Sequence, residues 1–550
     1  MKSRRKKLLQ STLIMGVGTL LSRILGMFRD AATAAMFGMS AGGIMDSFVL
    51  AFRLPDVARR MFGEGSLSVA FIPIFVRLWN SNRQKAWAFV SVLLTYFFVF
   101  LTTFVILGEI LCLLGMTFFP YPSKIHIVSE LSALMLPYLI LICLAAITAA
   151  SLQTLGEFLV PSLIPTILNL VWLFGILLVA PFLTDDPLLR CFLLTGCIFC
   201  AGLIQLGIQI PFLRRHGFIF RFHKMEMERE IDEFKASFFP SMIGLMGTQI
   251  NILIATCIAW AFSGQAGEAI WWLGHVVEYP LRTGSASSIY FSERLYEFPQ
   301  GLLGIAIATV IYPLLSRHAA QRDYAAIRED LSFGLRIVLS LAIPSGIGLM
   351  LLSDDLAHLL YQRGAFMPED TFRTADMIYW FSFGVCGFCS VPLLARAFYA
   401  VGNRKTPFRI SLISVLVSVV FGMILIWEFG EKGLAIAASL AATFHAVLLI
   451  ALFDVKYQLI NYRSLLVAIG RSCIASLVMG TVVAIIIQAV PGEGSIFDII
   501  RISFSATLGA VVFAGIYLIL GGEEILKIFH KKPLDEPKAK RKKRKTSNRK

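Results

Sequence analysis

Residues 86–119, AWAFVSVLLTYFFVFLTTFVILGEILCLLGMTFF, hold a single charged side chain, Glu109, in 34 positions. A helix needs roughly 20 apolar residues to cross the hydrocarbon core of a bilayer. Leu, Ile, Phe and Val stand side by side here, without the polar alternation of a barrel strand, so the stretch reads as a membrane-crossing helix. Residues 463–490 read the same way. The rest of the chain agrees: 57% of its 550 residues are hydrophobic and 15% charged, against about 25% charged in a soluble chain. A water-soluble fold is excluded, and with it a soluble enzyme or nucleic-acid-binding protein.

Apolar runs bounded by charged or Pro/Gly-rich breaks predict an all-α polytopic membrane protein of about fourteen spans. They lie at 9–37, 43–78, 86–119, 126–155, 159–182, 188–213, 234–262, 286–316, 326–352, 372–402, 406–427, 432–454, 464–490 and 497–520. The opening MKSRRKK resembles a signal peptide, but the apolar pattern runs on to Phe37 with no small-residue cleavage site, so it is expected to stay as the first helix. Basic residues fall on alternate loops: Arg77/Arg83/Lys85, Arg214/Arg215/Arg221/Lys224, Arg317/Arg322/Arg328, Arg404/Lys405 and Lys456/Arg463. The positive-inside rule then puts both termini in the cytoplasm. Of the net charge of +15, twelve Lys and Arg lie after Gly522, and this tail reads as a solvated cytoplasmic end or a contact for anionic lipid headgroups. The pairs Cys197/Cys200 and Cys386/Cys389 have CxxC spacing but no His or acidic partner on their helices, so packing rather than metal binding is expected.

An internal repeat is visible. LQTLGEFLVP (152–161) matches FYAVGNRKTP (398–407) in type, with Gly156 and Pro161 each 246 residues before Gly402 and Pro407. Pro55 and Pro299 are 244 apart, and Pro73 and Pro313 are 240 apart. Six spans per copy is an even number, so the copies share one orientation and face each other across a central cavity. The expected units are an N-lobe at 1–225, a C-lobe at 226–458, an added helix pair at 459–522 and a basic tail at 523–550.

Charges inside a bilayer are costly, so they normally face a bundle interior or a wet cavity. Here they concentrate in three spans: Arg23, Arg29 and Asp30 in the first; Asp46, Arg53, Asp56, Arg59, Arg60 and Glu64 in the second; Glu293, Arg294 and Glu297 in the eighth. Asp46, Arg53, Arg60 and Glu64 follow one another at 7, 7 and 4 residues, near one helix face. Pro55 and Pro299 predict helix breaks in these spans. For Arg59, Arg60 and Glu64, snorkelling or local ion pairs with Asp56 are an equal alternative to a ligand role. An arginine excess suits an anionic ligand, because guanidinium forks match phosphate oxygens. Arg396 could add to it from the tenth span, and His445 is a candidate proton carrier or a plain hydrogen-bonded histidine.

The stretches SRILGMFRDAATAAMFG, DSFVLAFRLPDVARRMFGEGSLSVAFIPIF, ERLYEFPQGLLGIAIATVIYPLLS and FYAVGNRKTP together resemble the MurJ (MviN) lipid II flippases of the MOP exporter superfamily, over essentially the whole chain. The resemblance implies alternating access, with lipid II passing from the inner to the outer leaflet of the bacterial cytoplasmic (inner) membrane and its polyprenyl tail lying in a groove on the last two helices. It implies substrate-binding roles for Arg23, Arg29, Arg59 and Arg294, with pyrophosphate contact at Arg29 and Arg294, and acidic cavity or gating roles for Asp30, Asp46, Glu64, Glu293 and Glu297. Two departures stand out: Asp56 replaces the Asn of the usual LPN, and Glu293 replaces an Asp before the arginine. A third is the longer segment Ser263 to Ser288, either an external gate or an amphipathic surface piece.

No cofactor is expected. There is no GxxxxGK[ST] phosphate loop, and the membrane potential is the expected energy source. Some relatives in the family use sodium, but spans 234–262 and 406–426 carry a carboxylate here only near the start of span seven, so sodium coupling is not expected. Membrane lipids and cell-wall synthesis proteins are the expected neighbours, nucleic acid is not, and a cavity within one chain is compatible with a monomer. The rival readings are a related exporter of another polyprenyl-linked glycan or of drugs, and a membrane glycosyltransferase using an external acid such as Asp185, Asp186, Asp354 or Asp355.

Overall fold

The computed structural model describes all residues except 1, 62–66, 222–226, 266, 273, 459, 493 and 525–550, so Glu64 and the basic tail lie outside the described residues. The chain runs through α1 (Lys2–Phe37), α2 (Ile44–Met61), α3 (Leu67–Ser81), α4 (Arg83–Phe118), α5 (Lys124–Thr154), α6 (Leu159–Phe174), α7 (Ala180–Leu183), α8 (Pro187–Gly207), α9 (Ile210–Arg215) and α10 (Glu228–Ala261). Four short strands follow: β1 (Ser263–Gly264), β2 (Ala269–Trp272), β3 (His275–Glu278) and β4 (Leu281–Arg282). Next come α11 (Ser285–Pro299), α12 (Ala306–Ala320), α13 (Tyr324–Leu351), α14 (Ser353–Tyr361), α15 (Pro368–Ser382) and α16 (Val385–Ala400). The chain closes with α17 (Lys405–Phe429), α18 (Lys432–Tyr457), α19 (Tyr462–Ala489) and α20 (Ser495–Ile519).

Among the described residues ten helices are long and apolar enough to cross a membrane, and counting each of two bent pairs as one span gives twelve. The two other expected spans are α2–α3 taken apart from α1, and α10. Charge explains the first, since α2 holds Asp46, Arg53, Asp56, Arg59 and Arg60. In α10 the apolar part that stands out, Gln249–Ala261, is short.

Polar residues set where helices start. The side chains of Asn82, Ser123, Asp186, Asp323 and Asn461 accept backbone N–H groups that the first turns of α4, α5, α8, α13 and α19 leave free. The repeated stretches also end their helices alike. Glu157 N donates to Leu152 O (3.0 Å) and Asn403 N to Phe398 O (2.9 Å), around Gly156 and Gly402 at φ +89° and +79°. Glycine takes this left-handed conformation without the Cβ clash that other residues meet.

Cross-chain bonds gather the connections at two ends. At one, Arg77 on α3 pairs with Glu233 on α10 (2.6 Å). At the other, Lys124 on α5 donates to the Ser263 and Trp260 carbonyls beside the strands. The first is the basic end of the molecule and the second its hairpin end.

Two proline breaks are corrected. α2 runs through Pro55 without interruption, because Phe52, Arg53, Asp56, Val57 and Ala58 are buried around it and packing holds the turn despite one lost hydrogen bond. After Pro299 the helix continues as a π-helical stretch, Gln300–Ile305, straight into α12. A wider turn absorbs the missing N–H, so the expected break is a bulge. The segment from Ser263 is neither helix nor plain loop: β2 and β3 form an antiparallel hairpin with Trp271 opposite Val276, β1 pairs with β4, and Ser285–Ser288 already belong to α11.

Buried apolar side chains form three clusters. One lies among α1–α6, α8 and α10 and reaches across to Tyr290, Phe291 and Tyr361; a second lies among α10–α13 and α15–α19. The third, with Met479, Val483, Phe513 and Tyr517, seats α19 and α20 on α13. Polar contacts fix that pair at both levels: Ser472 Oγ donates to Ser340 O (2.9 Å), and Arg501 pairs with Asp355 (2.8 Å) and Asp498 (2.7 Å). Burial pushes the Asp355 carboxyl above its ordinary range, and Arg501 offsets this only in part.

Candidate functional site

The spacing of seven in α2 becomes a ladder against the parallel helix α11. Asp46 meets the first turn of α11, where Gly284 N (2.6 Å), Ser287 N (2.9 Å) and Ser287 Oγ (2.8 Å) all donate to its carboxylate. Arg53 Nη2 reaches Glu293 Oε2 at 2.6 Å and its Nε reaches Thr256 Oγ1 at 3.0 Å. Arg60 Nη1 reaches Glu297 Oε1 at 2.6 Å. Three residues on one helical face thus tie α2 to α11 along its length.

Beside the ladder, ion pairs form an unbroken chain across three helices. Arg29 pairs with Asp30 (2.6 Å), Asp30 with Arg294 (3.3 Å), and Arg294 with Glu297 (3.1 Å). Glu297 then meets Arg60, Arg60 meets Asp56 (3.0 Å), and Asp56 meets Arg59 (2.8 Å). Tyr290 stands at the centre: its hydroxyl donates to Asp30 (3.0 Å), and Arg294 and Arg53 lie over its ring at 4.6 and 5.6 Å. Buried charges persist only where partners and hydrogen bonds offset desolvation, and this chain supplies both.

The arginines differ in access. Arg29 is buried, stacked on Trp172 at 4.6 Å, and also bonded to Asn169 Oδ1 (3.0 Å) and Tyr290. Its donors are committed to the protein. Side chains of Arg59 and Arg294 are 28% and 20% exposed, against 2% for Arg53, and Arg294 Nε makes no hydrogen bond despite its nearness to Asp30. Arg23, one helical turn and a half before Arg29, is exposed and points at Gly301 in the π-helical stretch, where an added Cβ would lie 2.6 Å from its Nη2. Counting Arg23, Arg29, Arg53, Arg59, Arg60 and Arg294 against Asp30, Asp46, Asp56, Glu293 and Glu297, cations outnumber acids six to five among the described residues of these three spans. Such an interior favours an anion.

The structure therefore brings together Arg29, Asp30, Arg59, Arg294 and Glu297, places Arg23 beside Gly301, and sets Asp46 and Glu293 in the α2–α11 ladder. Glu64 lies outside the described residues. Sequence reasoning gave no site role to Tyr290, Asn169 or Trp172, which carry no charge to mark them. It gave Arg53 no site role and weighed local ion pairs equally with a ligand role for Arg60, although their heptad spacing with Asp46 was the signal. Arg396 bonds Thr309 Oγ1 (2.6 Å) on α12 and does not join the chain. Of the loop acids, Asp186 caps α8 through Leu189 N (2.9 Å) and Asp185 pairs with Arg190 (2.7 Å).

Because Asp46 holds two backbone N–H groups and a hydroxyl, Asp46→Ala is expected to cost about 2 kcal/mol, the upper range for a lost helix cap. Asp46→Asn keeps one acceptor oxygen and should lose about half of that. Thermal unfolding of the purified variants checks the order; equal midpoints for wild type and Asp46→Ala would remove the cap from the account.

Comparison with known proteins follows the same lines. Residues 33–505 match the family described as "Lipid II flippase MurJ". The chain is 33% identical over 459 residues to the "Probable lipid II flippase MurJ" of Vibrio cholerae, covering 81% of this chain and 82% of that one. To its namesake in Haemophilus influenzae it is 31% identical, covering 92% and 98%. A solved structure titled "Lipid II flippase MurJ, inward closed conformation" superposes with a TM-score of 0.71 at 23% identity, covering 94% of this chain and all of that one. An inward-facing multidrug resistance MATE transporter of the MOP superfamily shares the fold at a TM-score of 0.62 and 10% identity, over 82% and 98%. With its apolar helices, its charged ladder and a match spanning most of its length, this chain belongs to the MurJ lipid II flippase family.

Proposed function

We propose that this chain carries lipid II from the inner to the outer leaflet of the bacterial cytoplasmic membrane by alternating access. Family membership supports the substrate. Within the molecule, the reading rests on an interior where arginines exceed acids and where Arg59 and Arg294 stay partly accessible, with the exposed Arg23 beside Gly301, four residues after Glu297. A diphosphate fits such forks bidentately. Arg294 and Arg23 make the first contact, Arg59 adds to it, and Arg29 joins when the ligand displaces Asp30. Asp30 and Glu297 hold the arginines together, Asp46 and Glu293 fasten α2 to α11, and Glu64, outside the described residues, is the remaining acidic candidate.

The two halves, 1–225 and 226–458, act as the moving lobes, with 459–522 supplying the groove for the polyprenyl tail. Alternate loops rich in Lys and Arg put the basic end and both termini in the cytoplasm, so the hairpin end is external. One chain suffices. The decisive experiment measures exposure of labelled lipid II to an external headgroup-modifying probe in cells that depend on this protein. External labelling should vanish on depletion; undiminished labelling would reject lipid II as the cargo and favour another polyprenyl-linked glycan.

A headgroup with about two negative charges moves outward downhill, by about 2.3 kcal/mol per charge for each 100 mV of inside-negative potential. Collapsing the potential should therefore slow export at least tenfold, and replacing sodium by potassium should leave it unchanged. Time courses of external labelling test both, and a sodium requirement would overturn the proposed energy source.

A further inference from the structure

The β2–β3 hairpin has two unlike faces. Trp272 turns inward, its ring 5.0 Å from Phe262 at the end of α10 and 6.3 Å from Trp427 near the end of α17. Trp427 closes a stripe on α17, Leu416, Val420, Ile424 and Trp427, spaced four, four and three residues apart and open to the surroundings. Apolar residues exposed at helical spacing along a membrane-crossing helix face lipid. Tryptophan at the end of such a stripe marks the level where acyl chains give way to headgroups. The hairpin is thus pinned sideways onto the lipid-facing surface at that level.

Its other face carries Trp271 and Val276, cross-strand partners that are 73% and 72% exposed. An indole and a branched aliphatic side by side on an exposed two-stranded ribbon leave apolar surface that water does not favour. The hairpin also continues into the start of α11: Thr283 N donates to Gly264 O (3.1 Å), and the next residue, Gly284, is held by Asp46. We propose that Trp271 and Val276 insert into the headgroup–acyl boundary of the bilayer at this end, making the hairpin a lipid-anchored arm attached to the first turn of α11. The occupant is the apolar part of the interface rather than anionic headgroups, because the charged residues that flank β2 and β3 in sequence are Glu268 and Glu278, and the nearby Lys124 is turned to the Trp260 and Ser263 carbonyls.

A nitroxide on Val276→Cys, in the full chain with its nine native cysteines replaced, tests this in phosphatidylcholine vesicles. Val420→Cys reports lipid and Asp185→Cys reports water, since the Asp185 side chain is fully exposed. At position 276 dissolved oxygen should relax the label more than a water-soluble nickel chelate does, as at 420, and adding phosphatidylglycerol should not deepen it. A label relaxed chiefly by nickel, as at 185, overturns the proposal. So does a label that is wet in pure lipid and immobilised only in native membranes, which would assign the face to a protein. If Val276→Cys does not fold, the difference in brominated-lipid quenching between wild type and Trp271→Phe decides: loss of a quenchable component supports insertion, and no difference rejects it.

Discussion

Replacing Arg53 by methionine is expected to destabilise the protein by about 3–5 kcal/mol, the range for removing one partner of a buried ion pair. Arg53 is 1% exposed and its guanidinium is the 2.6 Å partner of Glu293, itself buried. Methionine fills the space but leaves a buried carboxylate without its ion-pair partner, one turn from Glu297. Replacing Glu293 as well removes the stranded charge, so Arg53→Met/Glu293→Gln should recover most of the loss. Unfolding midpoints of the two single variants and the double variant give the coupling directly. A double variant no more stable than Arg53→Met would mean that Glu293 does not depend on Arg53, and the ladder would lose its middle rung.

The second large effect is on transport. Arg294→Ala should slow appearance of external lipid II by about tenfold to a hundredfold, as expected from losing about 1.5–3 kcal/mol of charge-assisted hydrogen bonding. Its stability cost should be smaller than that of Arg53→Met, because Arg294 is 20% exposed and both its acids keep other cationic partners, Arg29 for Asp30 and Arg60 for Glu297. Arg294→Lys keeps the charge but not the fork and should fall between. Cells carrying each variant at matched, folded levels supply the measurement. Wild-type export by Arg294→Ala would leave this arginine as a link in the ion-pair chain and nothing more.

Much of this was legible before any tertiary contact was known. Long apolar runs required membrane helices, since a bilayer offers the backbone no other partner. The Gly156-to-Pro161 and Gly402-to-Pro407 stretches, alike in sequence, end two helices with one geometry, because that turn is local chemistry. Charges in three spans marked the interior, because lipid tolerates them poorly. Family membership followed from the same motifs.

What the sequence by itself determined was therefore which segments enter the membrane, where several of them end and which carry the charges, all properties of neighbouring residues and of one helix's periodicity. Only the tertiary structure decided how those charges are shared. It buried Arg29 on Trp172 and Asn169, gave Arg53 to Glu293 across 240 residues, and left Arg294 with an unbonded Nε. It also carried α2 through Pro55 and folded the Ser263 segment into a hairpin pinned by Trp427, a residue far along the chain. The reason is the same in each case. Helical periodicity says which face a side chain occupies, but the identity of its partner depends on which distant helix packs there, and a low-dielectric interior makes that pairing decisive for each charge.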